Sequence, residues 1–105
     1  MKKLILPSKQ EIPLDEIVYL ESDSNYTQIY IRGQRRIIAA KSLCHVFNGI
    51  TTDSFIRINR SQVINTLYVK GFLSSDQFAL ITLKNGQTLK TSRRRTDNFL
   101  KAIQA

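Results

Sequence analysis

The stretch DSFIRINRSQVIN, from Asp53 to Asn65, decides the fold. Arg57 stands between Ile56 and Ile58 and points to the face opposite theirs, as strand alternation requires. The apolar pattern then lapses at Asn59, Arg60, Ser61 and Gln62, and resumes at Val63 and Ile64. These four polar residues form a loop or strand end whose side chains all hydrogen-bond. Arg, Asn, Ser and Gln are also the residue types that grip phosphates and read base edges. The competing reading is a polar turn whose Arg60 pairs with a surface acid.

Outward from this stretch the chain continues as short strands. YVKGFLS (68–74) and FALITLK (78–84) follow it, and Asn85-Gly86 is a strong hairpin signal of the type I′ kind, with QTLKT (87–91) completing the hairpin. On the other side, Leu4 to Leu6 form a short strand ended by Pro7. A firmer strand begins at Ile17, and Ser22 to Asn25 make a turn. In YTQIYI, Tyr26, Gln28 and Tyr30 face one way, and Thr27, Ile29 and Ile31 the other. Gly33 turns the chain into RRIIAA. The period changes only twice. Leu43, Val46, Phe47 and Ile50 make one helical stripe, with Asn48-Gly49 at its end. Thr96, Phe99, Leu100 and Ile103 share one face of a C-terminal helix, with Ser92 as its N-cap. The expected fold is therefore mostly β, many short strands with two short helices, one mid-chain and one C-terminal, in a single domain over residues 1–105. The absence of strand–long-helix alternation argues against a doubly wound sheet.

The apolar share of 42% permits a packed core. Charge is the outlier: 16 Lys+Arg face 8 Asp+Glu, a net charge of +8. Glu11, Asp15, Glu16, Glu21 and Asp23 all fall near the start, whereas from Arg32 onward 13 basic residues face only Asp53, Asp76 and Asp97. A field of that sign calls for a polyanionic partner. One cysteine, Cys44, and one histidine, His45, exclude an internal disulfide and a thiolate–imidazole zinc site. Neighbours on a helix do not face each other, so this pair is no nucleophile–base couple, and Cys44 is expected as a semi-buried filler. Paired carboxylates and a glycine-rich phosphate loop are also lacking. The expectation is a non-enzyme with neither cofactor nor metal. No apolar run reaches the roughly 20 residues of a membrane span, and MKKLILP is too short in its apolar part for a secretory signal, so a cytoplasmic protein is expected.

Three further stretches bear on function. In KTSRRRTDN, a helix capped by Ser92 would carry Arg93, Arg94 and Arg95 in its first turn, where the backbone dipole disfavours cations by about 0.3–1 kcal/mol each. Free N–H groups with three guanidiniums make an anion site, and a phosphate chain suits it. In SDSNYTQ, Asn25, Thr27 and Gln28 are placed to reach nucleic acid from a turn, unless this is simply a hairpin tip with Tyr26 packed inward. RGQRR fits the R-x-x-x-R pattern of PilZ-type cyclic-dinucleotide receptors. Their downstream [DN]-x-S-x-x-G is only begun by Asn59 to Ile64, with Ile64 in the glycine's place. A small RNA-binding protein would share the charge, but no aromatics cluster with the arginines for stacking.

Taken in order, LDEIVYLESDSNYTQIYI, SLCHVF, FIRINRSQVIN and LKNGQTLKTSRRR resemble the LytTR DNA-binding domain of bacterial transcription regulators, over roughly Ile12 to Ile103. The resemblance implies an elongated β sandwich whose loops enter successive major grooves of double-stranded DNA. It places Asn59, Arg60 and Ser61 in one DNA-contacting loop, Ser92 to Arg95 in the other, and the Asn25–Thr27 turn near the DNA. Arg60 and Arg94, then Arg93, are expected at base edges, and Arg57, Lys90 and Arg95 at phosphates. It also implies paired direct-repeat sites, so a second copy, and a regulatory protein partner where no receiver domain precedes the motif. Asn59 stands where the family usually has histidine.

Overall fold

The computed structural model describes residues 2–33 and 35–104, so Gln34 of the RGQRR stretch lies outside the described residues. β1 (Lys3–Ile5) and β2 (Glu11–Pro13) form a hairpin. Five strands make the central antiparallel sheet: β3 (Ile17–Asp23), β4 (Tyr26–Ile31), β5 (Arg35–Ala39), β6 (Phe55–Asn59) and β7 (Gln62–Asn65), in the order β5-β4-β3-β7-β6. A second sheet has the order β10-β9-β8, from β8 (Val69–Ser74), β9 (Ala79–Leu83) and β10 (Thr88–Lys90). The helices are α1 (Leu43–Asn48) and α2 (Thr96–Gln104). The expected mostly-β fold with two short helices is what forms, and its 41 × 25 × 23 Å extents make it elongated.

Both faces of the central sheet are covered, so two cores lie back to back. Leu4, Leu6, Ile12 and Leu14 from the first hairpin, with Leu43 and Val46 of α1, pack on Leu20, Ile29, Phe55 and Val63. On the other face Ala79, Ile81, Leu83 and Leu89, with Phe99 of α2, pack on Val18, Tyr19, Ile58 and Ile64. This explains why Ile17, Val18, Tyr19 and Leu20 are all buried although strand side chains alternate: a strand covered on both faces needs a continuous apolar run.

Three local expectations change. Among the described non-glycine residues, only Lys9 and Ser24 have positive φ, so Asn85-Gly86 is not a type I′ turn. Instead the Gly86 N–H donates to the Leu83 carbonyl, and Gly86 alone is left-handed at φ +90°. That arrangement is a type I turn followed by a left-handed residue. Arg93–Arg95 form a separate 3-10 turn ahead of α2, and the Ser92 side chain makes no capping bond. Its backbone carbonyl accepts from Arg95 N at 3.1 Å and from the Thr96 hydroxyl at 2.9 Å. Cys44 is exposed rather than semi-buried. β2 was not legible: a run as short as Glu11–Pro13 is too brief for alternation to declare itself.

Candidate nucleic-acid interface

The turn that joins β6 to β7 is built by one side chain. Asn59 Oδ1 accepts from Ser61 N at 2.8 Å, and its Nδ2 donates to Gln62 Oε1 and to the Lys90 carbonyl, both at 2.8 Å. The amide's acceptor and both donors are thus used inside the molecule. Arg57 folds onto the same turn, its Nε donating to the Asn59 carbonyl at 3.2 Å and its Nη2 to the Arg60 carbonyl. What remains outward is Arg60, exposed at the tip beside Ser61.

The arginine-rich turn is brought to this tip by the backbone. Ser92 N donates to the Ile58 carbonyl at 2.8 Å. Beneath it, the buried hydroxyls of Thr91 and Thr96 lie 2.9 Å apart, and Thr91 Oγ1 accepts from Ala79 N at 2.8 Å. These bonds fix where the 3-10 turn leaves the second sheet. The result is an open depression of about 380 Å³ lined by Arg57, Arg60, Ser92, Arg94 and Arg95, residues from two distant parts of the chain. Arg93 is exposed beside it, and Lys90 holds its ammonium 4.3 Å from the centre of the Phe78 ring. Among the described residues the one ion pair is Lys3–Glu11 at 3.0 Å, so the reading in which Arg60 pairs with a surface acid does not hold.

Sheet register brings a third turn to the same end. Glu21 pairs with Gln62, and Ser22 N donates to the Ser61 carbonyl at 2.8 Å, so the Asp23–Tyr26 turn sits beside the Asn59–Gln62 turn. Asn25 is exposed there, next to Ser24 at φ +55°. Thr27 corrects the expectation: it is fully buried, its hydroxyl donating to the Lys41 carbonyl at 2.8 Å, and it cannot touch a ligand. Tyr26, by contrast, is half-exposed. The R-x-x-x-R arginines are not near Asn59 and Ser61. Ile31 of β4 and Arg35 of β5 pair at the end where β3 begins, and the Asn59 turn lies at the end where β3 finishes, so the cyclic-dinucleotide signature does not assemble.

A hydrogen-bonded chain that the sequence did not disclose crosses the central sheet behind this end. Arg36 donates to Gln28 Oε1 (3.1 Å), which also accepts from the Tyr30 hydroxyl (2.9 Å). Tyr30 reaches Glu21 at 3.4 Å, Glu21 Oε2 accepts from Gln62 Nε2 at 2.7 Å, and Gln62 holds Asn59. Tyr30 also stacks on Tyr19, with ring centroids 4.2 Å apart. Burial raises the Tyr19 pKa well above the usual tyrosine value, with the Tyr30 neighbour adding to it.

A layered β body that brings Arg57, Arg60, Arg94 and Arg95 together, with no carboxylate paired to them among the described residues, has the charge to meet a polyanion. The chain belongs to the LytTR family: the family model described as the LytTr DNA-binding domain matches residues 9–104. Its fold is similar to that of the LytTr DNA-binding domain of a putative methyl-accepting/DNA response regulator from Bacillus cereus. The TM-score is 0.79 at 22% identity, over 97% of this chain and 94% of that one. No curated protein matches the chain. The protein is thus a DNA-binding domain of the regulator type, and no helix among its described residues is long and apolar enough to cross a membrane.

Proposed function

We propose that this chain is a non-enzymatic transcription regulator that reads the major groove of double-stranded DNA with the Asn59–Gln62 and Ser92–Arg95 turns. The observation that carries this is the shared depression of Arg57, Arg60, Ser92, Arg94 and Arg95, with no carboxylate paired to any of them among the described residues. Arg60 and Arg94, with Arg93 beside them, contact base edges, because a guanidinium fork matches guanine O6 and N7. Arg57, Arg95 and Lys90 hold phosphates, and Asn25 approaches the backbone from the neighbouring turn. Asn59 has a different part from that of a base reader: with its amide committed to the turn, it fixes where Arg60 points.

Tandem direct repeats, each bound by one copy, are the site architecture to test, with repeat spacing set by the helical turn of DNA. A regulatory protein partner supplies the controlling signal. Selection of bound duplexes from a random pool tests the whole reading. It should return a short motif repeated at a helical-turn spacing. Recovery of unrelated sequences, or stronger retention of single-stranded RNA, overturns sequence-specific duplex reading.

A further inference from the structure

The central sheet is wider than the sheet packed on it, and where β4 and β5 overhang, a second cleft opens between the layers. It has a volume of about 520 Å³ and is lined by Tyr19, Tyr30, Ile31, Arg35, Arg36, Asn85 and Gln87. That size falls within the roughly 300–1,000 Å³ of small-molecule sites. One lip is β5, where Arg36 stands opposite Tyr30 on the cleft face and Arg35, opposite Ile31, borders it at the strand's start; the other is the β9–β10 turn. The stacked Tyr19–Tyr30 pair forms the floor, and Tyr19, only 3% exposed, gives that floor a buried foundation.

The chemistry of the lining selects a ligand class. Neither Arg35 nor Arg36 has a carboxylate partner among the described residues. Arg36 gives one nitrogen to Gln28 and keeps its other donors. The nearest carboxylate in the network, Glu21, is reached only through the Tyr30 hydroxyl and is already engaged by Gln62. Asn85 Oδ1 is used to accept from Gln87 N at 2.9 Å, whereas its Nδ2 and the Gln87 side-chain amide have no intramolecular partner among the described residues. The Arg36 guanidinium fork, on the same face as Tyr30, favours phosphate, which it can grip bidentately, and the amides and phenol suit a hydroxylated or heterocyclic body. We infer that this cleft binds a small phosphorylated molecule of nucleotide size, with Arg36 on its phosphate, Arg35 at the lip, and Asn85 and Gln87 on its body. The site lies toward the end of the sheet where β4 turns into β5, away from the Arg60 pole, and the inference does not rest on DNA reading.

Amide spectra of the isotope-labelled chain, titrated separately with AMP, GMP, glucose 6-phosphate and inorganic phosphate, test it. At least one of the three organic phosphates should give saturable shifts centred on Tyr30, Arg35, Arg36, Asn85 and Gln87, binding at least about tenfold more tightly than inorganic phosphate. The double variant R35Q/R36Q, and R36Q alone, should lose about tenfold or more of that affinity, while R60A/R94A retains it. Three results overturn the inference. The first is no saturable shift at the cleft with any of the three. The second is a response confined to Arg60, Ser92, Arg94 and Arg95, which means that phosphate merely fills the DNA pole. The third is loss of DNA affinity in R35Q/R36Q with no organic phosphate bound by the native chain, which makes the cleft a contact for the DNA backbone.

Discussion

Arg60 and Asn59 are neighbours in sequence and opposite in kind. Arg60 is exposed and pairs with no acid among the described residues, so its side chain is free for a ligand. Arg60→Ala should leave the denaturation midpoint unchanged and cost about 1–3 kcal/mol of binding on the cognate duplex, with preference relaxed at one base pair. Equal weakening on every sequence would show that Arg60 touches only phosphate. Asn59 holds the turn through three hydrogen bonds. Asn59→Ala strands the Lys90 carbonyl and Ser61 N–H, so chemical denaturation should register a loss of about 1–3 kcal/mol. Binding to cognate and unrelated duplexes should fall together, because the whole tip is loosened. A variant that keeps its stability and changes only its base preference would return Asn59 to the role of a base reader. The case of Thr27 is a residue-scale lesson. Alternation assigned it correctly to the side of Ile29 and Ile31, and that side is core, so its polarity serves the Lys41 carbonyl and not a ligand.

Elements that repeat an apolar period are legible in the sequence. β3 to β10 fall close to the expected runs, and both helical stripes form, because alternation and the 3.6-residue period are direct consequences of burying one face. What stayed hidden was set by partners distant in sequence. No local rule reveals that Glu21 lies opposite Gln62, or that Lys90 ends beside Asn59. The Arg93–Arg95 turn shows the same limit. Local capping logic joined it to the helix, whereas bonds from Thr91 and Thr96 to the second sheet decide its course. Thr96 Oγ1 contacts Thr91 Oγ1, the Ser92 carbonyl and the Gln77 carbonyl. Thr96→Val keeps the shape and removes these bonds, so it should destabilise by about 1–3 kcal/mol. DNA affinity should fall in proportion to the displacement of the arginine turn. Thermal unfolding and duplex titration on one preparation check both, and an unchanged midpoint would deny the threonine pair its anchoring part.

At the scale of the whole molecule, four arginines from two distant parts of the chain, Arg57, Arg60, Arg94 and Arg95, line one depression on an elongated body. Binding that rests on phosphate neutralisation should weaken steeply with salt, with a log–log slope of about −0.9 per phosphate contacted. A flat salt titration would exclude phosphate contacts by Arg57, Arg95 and Lys90. Stability carries its own pH signature. Tyr19 and Tyr68 are both held above the ordinary tyrosine value of 10.0, in each case chiefly through burial. The folded chain therefore keeps protons that the unfolded chain releases, and stability present below about pH 10 should decline as pH rises past it. Urea midpoints from about pH 8 to about pH 11 should show the decline, and Tyr19→Phe should flatten it.

The tips that carry Arg60, Arg93 and Arg94 are shaped by Asn59, Thr91, Thr96 and main-chain bonds, and the side chains of those three arginines make no hydrogen bond or ion pair within the body among the described residues. On the function proposed above, scaffold and address are therefore written in different letters. The exposed positions can be exchanged for other side chains without unravelling what lies beneath, so a lineage built on this body is able to drift from one operator to another by rewriting a few tip residues.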